Sequence, residues 1–250
     1  MTDTKAAIVT AAGRGIGAGC ARALADAGYA LTLMSPSGSA RALAEELGGT
    51  GTDGSVLEPD DLRRLVDLAM ERHGRIDAVV NNSGHGAGTT AYSTYTTYDA
   101  HDIDRLLLEI TDEEWHAGLD MYVLSVMRVA RLVTPIMRDQ GGGAIVNISS
   151  LAVFEPRPAS PMSVLRGALA GYTKLYADRY GGDGIRMNNL LPGFMENTDP
   201  AEGVLRGIPM GRAGTMAELG KTAAFLCSPD SGYITGQNIL LDGGLNRAVR

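Results

Sequence analysis

The 250-residue sequence is short of several things, and each shortage excludes something. It has two cysteines, Cys20 and Cys227, and neither has a CxxC partner. A disulfide framework is therefore excluded, and free thiols in a reducing cytoplasm are the expectation. It has no basic excess: 22 Lys+Arg stand against 29 Asp+Glu, a formal charge of −7. That speaks against a general nucleic-acid binder, which would show a basic patch. It leaves room for a phosphate-bearing small molecule, because backbone N–H groups can hold that anion. No apolar run approaches the roughly 20 residues that span a bilayer, so no membrane partner is expected. Residues 1–12 lack the basic start and apolar centre of a signal peptide. Among the aromatics there are nine Tyr, three Phe and one Trp, so tyrosine is the one abundant ring and its placement matters.

What is present is a chain that is 44% apolar, enough for a large core without a metal or disulfide staple. Residues 5–10, 29–34, 76–80, 144–149, 185–190 and 238–241 are short apolar runs that suit strands. Between them, residues 18–27, 39–47, 62–73, 112–137 and 216–227 suit helices, as does a segment ending near Tyr180. In 62–73 the apolar residues fall at 62, 65, 66 and 69, a helical spacing. Asp112, Glu113 and Glu114 place acidic charge in a first helical turn. Strands that read as continuous apolar runs and alternate with helices predict a parallel sheet covered on both faces. No linker or repeat divides it, so one α/β domain is expected over 1–250.

The first strand leads into Thr10-Ala11-Ala12-Gly13-Arg14-Gly15-Ile16-Gly17 and then a helix of small residues. A glycine turn at a helix N-terminus can cradle a pyrophosphate, since the backbone comes close and the N–H groups point outward. The turn departs from GxGxxG but resembles the TGxxxGIG turn of the short-chain dehydrogenase/reductase family, with Ala11 at the first glycine. Asn81-Asn82-Ser83-Gly84 resembles that family's NNAG, and residues 143–150 (GAIVNISS) resemble the strand ending in its active serine. GIRMNNLLPG at 184–193, IPMGRAG at 208–214 and YITGQNILLDGG at 233–244 resemble its later signatures. The matches are collinear over nearly the whole chain. They imply a single-domain Rossmann-like doubly wound fold that binds a nicotinamide dinucleotide.

The resemblance assigns the cofactor residues Thr10, Gly13, Arg14, Gly15, Ile16 and Gly17 to the phosphates, and Asp53 to the adenine amino group. Asn82, Ser83 and Gly84 would line the adenosine side, and Pro192, Gly193 and Met195 the nicotinamide, with Asn197 or Thr198 near its carboxamide or the phosphates. No acidic residue follows the second strand to favour NAD. Arg14 stands where NADP-using relatives often carry an arginine, and Ser35, Ser37 and Ser39 could donate to a 2′-phosphate or be simple turn formers. NADP(H) is therefore favoured over NAD(H).

The family's catalytic set of Asn, Ser, Tyr and Lys is mostly missing. Aligned on Gly171-Tyr172-Thr173-Lys174 and on the serine strand, the family's YxxxK reads Met162-Ser163-Val164-Leu165-Arg166. The four positions become Tyr122, Ser150, Met162 and Arg166. A thioether moves no proton. Arg166 can hold the nicotinamide ribose but cannot carry a proton. Three readings remain. Hydride transfer persists with another acid, first Tyr122 and then Tyr92, Tyr95, Tyr98, His85, His101 or Glu155, or with a substrate such as an iminium that needs little proton help. Alternatively the fold does non-redox chemistry as a lyase, an epimerase or an enzyme like the halohydrin dehalogenases, whose YxxxR Arg166 echoes. Or the chain is a dinucleotide-binding pseudoenzyme or sensor. The leading expectation is an oxidoreductase of a small polar carbonyl, alcohol or imine.

Residues 85–110, with Tyr92, Tyr95 and Tyr98 at spacing three, are longer than the family's usual connection. They would form either a polar surface loop or a lid over the carboxyl end of the sheet. The resemblance also implies a homotetramer, or a homodimer, joined through the helices 112–137 and 160–180 and the 238–241 strand, where Gly167, Ala168, Ala170 and Gly171 permit close contact.

Overall fold

The computed structural model describes residues 4–83, 108–156 and 164–248. Seven parallel strands form one sheet in the order β3-β2-β1-β4-β5-β6-β7. They are β1 Ala6–Val9, β2 Ala30–Ser35, β3 Thr50–Asp53, β4 Ala78–Asn81, β5 Gly143–Ile148, β6 Ile185–Pro192 and β7 Asn238–Leu241. Helices α1 (Gly15–Asp26), α2 (Ser39–Glu46) and α3 (Pro59–His73) connect the first four strands. After β4 come α4 (Asp112–Leu119), a π-helical turn (Asp120–Leu124) and α5 (Ser125–Asp139). Helices α6 (Val164–Tyr180), α7 (Glu202–Leu205) and α8 (Met216–Cys227) complete the chain.

The sheet is covered on both sides, which explains its unbroken apolar strands. One layer packs Cys20 and Leu24 of α1, Leu43 of α2 and Leu219 and Leu226 of α8 against Val9, Leu31 and Leu33. The other packs Leu62 and Leu65 of α3, Val133 and Met137 of α5 and Tyr176 of α6 against Ile8, Val79 and Ile145. Strand order reverses between β1 and β4, and ligands of open α/β sheets bind at the carboxyl ends beside such a reversal.

The bounds of α8 and β7 coincide with the sequence expectation. Others moved for identifiable reasons. Helix α1 begins at Gly15 rather than 18, because the glycine turn itself winds into the first helical turn. Helix α3 begins at Pro59, where a fixed φ and a missing N–H suit the first position. The single helix expected over 112–137 is two helices separated by the π-turn. Thr111 and Thr215 close capping boxes with Glu114 and Glu218, fixing where α4 and α8 start.

A row of amides crosses four strands at one level. Asn81 of β4 is in register with Asn147 of β5, Asn147 with Asn189 of β6, and Asn189 with Asn238 of β7. Asn81 Nδ2 donates to Asn147 Oδ1 at 2.9 Å, Asn147 Nδ2 to Asn189 Oδ1 at 2.9 Å, and Asn189 Nδ2 to Asn238 Oδ1 at 2.7 Å. Thr173 of α6 joins the row by donating to Asn189 Oδ1 at 2.9 Å. The row ties the Arg166 helix to the strands that end at the cleft.

Candidate functional site

The β1 half of the cleft, where the sequence leads one to expect a dinucleotide, is built mainly from backbone. Thr10 N–H donates to the Val80 carbonyl at 3.1 Å, and the Thr10 hydroxyl donates to the Asn82 carbonyl at 2.9 Å. Asn82 returns its N–H to Thr10 Oγ1 at 3.0 Å and its side-chain amide to the Ala11 carbonyl at 3.2 Å. These bonds clamp the turn to the end of β4. Ala11 sits at φ +46°, a left-handed conformation that glycine adopts more easily, which matches its place at the family's first glycine.

The glycines are sterically required. A Cβ on Gly17 would overlap the Ala11 carbonyl oxygen and come within 2.8 Å of Asn82 Nδ2. A Cβ on Gly13 would overlap the Ser39 hydroxyl, and Gly15 has φ +52° with the Asn197 amide beside it. Arg14 is the N-cap of α1 and is exposed, and no side chain caps the helix. The first N–H groups of α1 thus keep free donor capacity at a positive helix end. A shallow, glycine-walled cradle of this kind fits a pyrophosphate.

Around this cradle, Asn197 lies against Gly15, whereas the Thr198 hydroxyl is engaged with the Met195 carbonyl at 2.8 Å. Gly193 donates to the Leu241 carbonyl at 3.0 Å, and Met195 is buried, bridged to Gly214. Pro192 is the last residue of β6.

Of the two readings of Ser35, the structure shows the turn former. Its hydroxyl donates to the Ser37 carbonyl at 2.6 Å and accepts from the Ala40 N–H at 3.0 Å. A hydroxyl has one proton to give, so Ser35 locks the turn before α2 instead of facing a phosphate. Ser37 and Ser39 are exposed there. Asp53 ends β3, and its carboxylate pairs with Arg41 at 2.8 Å. Sequence reading missed Arg41. It lies in the first turn of α2, beside the loop that follows β2, and its ion pair ties that turn to the end of β3.

The other half is built from side chains. Tyr122 is carried by the π-turn, a widening that is often found at functional positions. The Ser125 hydroxyl donates to the Met121 carbonyl at 2.6 Å, and an Asp120–Arg128 ion pair at 2.5 Å spans the turn. Arg166 projects from the first turns of α6. Its Nη1 donates to the Ile148 carbonyl at 3.0 Å, and its guanidinium carbon lies 4.0 Å from the centre of the Tyr122 ring. Tyr122 and Arg166 line one cavity with Thr10, Asn81, Asn82 and Ser83. The structure therefore brings Tyr122 and Arg166 together, beside the glycine turn.

Burial pushes the Tyr122 hydroxyl above its ordinary pKa, and the Arg166 charge only partly opposes this. The phenol stays protonated at neutral pH, as a proton donor must. Burial likewise lowers Arg166 from its usual range, with Tyr122 opposing. Ser150 caps the short turn Leu151–Val153, its Oγ accepting from the Ala152 N–H at 3.2 Å. Among the described residues no acceptor takes its own proton. Glu155 accepts from the Arg247 N–H at 3.1 Å. Met162, Gly84, His85, Tyr92, Tyr95, Tyr98 and His101 lie outside the described residues, as does most of the 85–110 segment. Among the described residues there is no cluster of metal-ligating side chains and no helix long and apolar enough to cross a membrane.

Comparison with known proteins gives a consistent picture. A family model described as enoyl-(acyl carrier protein) reductase matches residues 10–246. The 3-oxoacyl-(acyl-carrier-protein) reductase FabG of Staphylococcus aureus is 33% identical over 261 residues, covering 98% of this chain and 99% of the relative. Dehydrogenase/reductase SDR family member 4 of Oryctolagus cuniculus is 32% identical over 256 residues, covering 96% and 93%. Among solved structures, YwfH, described as an NADPH-dependent reductase involved in bacilysin biosynthesis, superposes with a TM-score of 0.85. It is 24% identical and the match covers 99% of this chain and 100% of that one, a likeness of fold.

Proposed function

The chain belongs to the short-chain dehydrogenase/reductase family of oxidoreductases, and from that premise we propose an NADP(H)-preferring reductase or dehydrogenase with a rebuilt catalytic set. Its substrate is a small polar carbonyl, alcohol or imine. The observation that carries this reading is the Arg166–Tyr122 stack at 4.0 Å, in one cavity with Thr10 and Asn82 of the dinucleotide turn. A proton donor and a cation thus lie beside the cradle although the family's tyrosine and lysine are replaced.

In this reading Thr10, Gly13, Gly15, Ile16, Gly17 and Asn197 seat the phosphates, and Asp53, Asn82 and Ser83 the adenosine. Pro192, Gly193 and Met195 flank the nicotinamide, which when bound supplies or accepts the hydride. Arg14 favours a 2′-phosphate; the relative FabG and the fold neighbour YwfH are reductases, the latter described as NADPH-dependent. Ser150 Oγ–H orients the substrate oxygen. The Tyr122 hydroxyl gives or takes the proton, and Arg166 keeps positive charge beside it.

Titration of NADPH and NADH by fluorescence, followed by absorbance of reduced nicotinamide over a carbonyl and imine panel, tests the reading. Tighter NADPH binding with turnover is expected. Binding without turnover identifies a sensor, and binding of neither identifies a non-redox enzyme. The reading includes a cytoplasmic homotetramer joined through α5 and α6. The α6 surface carries exposed Val164 and Leu175 beside Gly167 and Gly171, around which space is open. A monomeric mass in light scattering refutes that assembly.

A further inference from the structure

Residues 196–214 leave the end of β6 and return to α8 as a loop closed at its base. Glu196 N–H donates to the Gly214 carbonyl at 2.8 Å, and Gly214 N–H to the Phe194 carbonyl at 3.0 Å. Glu196 Oε1 accepts from the Met216 N–H, the first of α8, at 2.7 Å. Beyond that base the loop buries little. Its helical pieces are the short turns Glu196–Thr198 and α7, and Ile208 is its one buried residue. Its first turn brings Asn197 against Gly15 of the glycine turn.

Ile208 rests on the segment that follows β7. Gly243 and Gly244 there have φ +63° and +84°, and a Cβ on Gly243 would come within 2.8 Å of Ile208 Cγ2. The two glycines therefore let the backbone lie flat against Ile208 and Pro209. Met210 N–H donates to the Gly243 carbonyl at 3.2 Å. The segment is braced internally, because the Asp242 carboxylate accepts from the Gly244 N–H at 3.0 Å and the Asn246 N–H at 2.8 Å. The next N–H, that of Arg247, goes to Glu155 Oε1 at 3.1 Å. Glu155 closes the turn that Ser150 opens, in which the Ser150 carbonyl accepts from the Val153 N–H at 3.1 Å and the Leu151 carbonyl from the Phe154 N–H at 3.0 Å.

We propose that residues 242–247 are a strap coupling the 196–214 loop to the Ser150 turn, and that Glu155 is the positioning residue at which the strap is fastened. Loops with little buried surface open on their own at low cost in free energy. Fastening two of them to one braced segment makes the opening of one felt at the other, and such a coupling works equally in both directions. Glu155, a candidate acid by sequence, thus acts through its grip on the Arg247 N–H. Because Asn197 lies at the glycine turn, a ligand held there is felt at Ser150 through the strap. Only in naming that ligand a dinucleotide does the proposal rest on the reading above.

Hydrogen exchange of the full-length protein, read by mass spectrometry on peptides, tests the strap without any ligand. Glu155→Ala should speed exchange over 207–211, which Glu155 does not precede or follow in the chain, by about threefold, as losing one exposed hydrogen bond implies. Glu155→Gln keeps an acceptor oxygen and should restore the parent rate. In the reverse direction, Ile208→Ala should speed exchange over 151–155 while α8 stays at the parent rate. A Glu155→Ala effect confined to 151–155 and 242–248, failure of Glu155→Gln to restore the rate, or an Ile208→Ala effect confined to its own loop overturns the strap. A second arm adds NADPH or NADH. Binding should slow exchange over 151–155 in the parent and less in Glu155→Ala; equal slowing in both overturns the relay to Ser150. If neither dinucleotide binds, the oxidoreductase reading fails, while the ligand-free exchange still decides the strap.

Discussion

The two halves of the cleft obey different rules. On the β1 side, recognition comes from close backbone approach: Gly13 and Gly17 leave no room for a side chain, and Thr10, Ala11 and Asn82 satisfy one another. On the β5 side the candidate residues Tyr122, Ser150 and Arg166 present side chains, and Arg166 stacks on the Tyr122 ring while donating to the Ile148 carbonyl. The first kind of site tolerates little change, because any added atom collides. The second can be re-equipped, because the strands and α6 hold a position without dictating what stands there. In the proposed reading the scaffold keeps its cradle while the side chains across the cleft differ.

That contrast can be broken by experiment. The largest effect should come from the cradle. Gly17→Val places atoms against the Ala11 carbonyl, so dinucleotide binding should vanish and stability fall by about 1–3 kcal/mol in chemical denaturation. Retained binding would show that the turn is not the seat. On the other side, Tyr122→Phe should lower turnover by about 100-fold with little change in NADPH affinity. Full rate in that variant removes Tyr122 from the proton path. A smaller change is expected for Arg14→Ala, which should weaken NADPH by about tenfold and leave NADH unchanged. Equal loss for both would make Arg14 a pyrophosphate ligand.

Away from the cleft, Thr215→Ala removes a capping box and should cost about 1 kcal/mol by the same denaturation, without altering either half. Smallest is a pH effect at the same cap. Arg212 and the Thr215 N–H and hydroxyl hold the exposed Glu218 carboxyl at about 2. Its folded value lies below its unfolded one, so its contribution is present above the ordinary carboxylate range and fades as pH falls towards 2. The Tm difference between the parent and Glu218→Gln should therefore close across that acidic window.

Much of the first half was legible in the sequence, because glycines and strand–turn–helix order are local signals. The sheet, α8 and β7 followed from apolar runs and spacing. The π-turn was not legible, since one extra residue in a long helix scarcely disturbs its apolar period. The choice between the two readings of Ser35 was not legible either: a sequence shows a hydroxyl, whereas only folding reveals that its proton goes to Ser37. Arg41 was missed for a related reason. Six residues after Ser35, it meets Asp53 only because α2 folds back over β3. The pairing of Tyr122 with Arg166 was expected only as two family positions, and their stacking depends on tertiary contact.

The amide row has a consequence for how the chain assembles. Slipping a strand by one residue turns its side chains to the wrong face and is resisted everywhere. A slip by two is more dangerous, because strands buried on both faces, such as β5, stay apolar in either position. Asn81, Asn147, Asn189 and Asn238 remove that ambiguity. Displacing β5 by two would strand its neighbours' amides in a dry interior, at about 1–3 kcal/mol for each orphaned group. The row thus acts as a parity-independent alignment key, penalising misfolded pairings that hydrophobicity alone would accept.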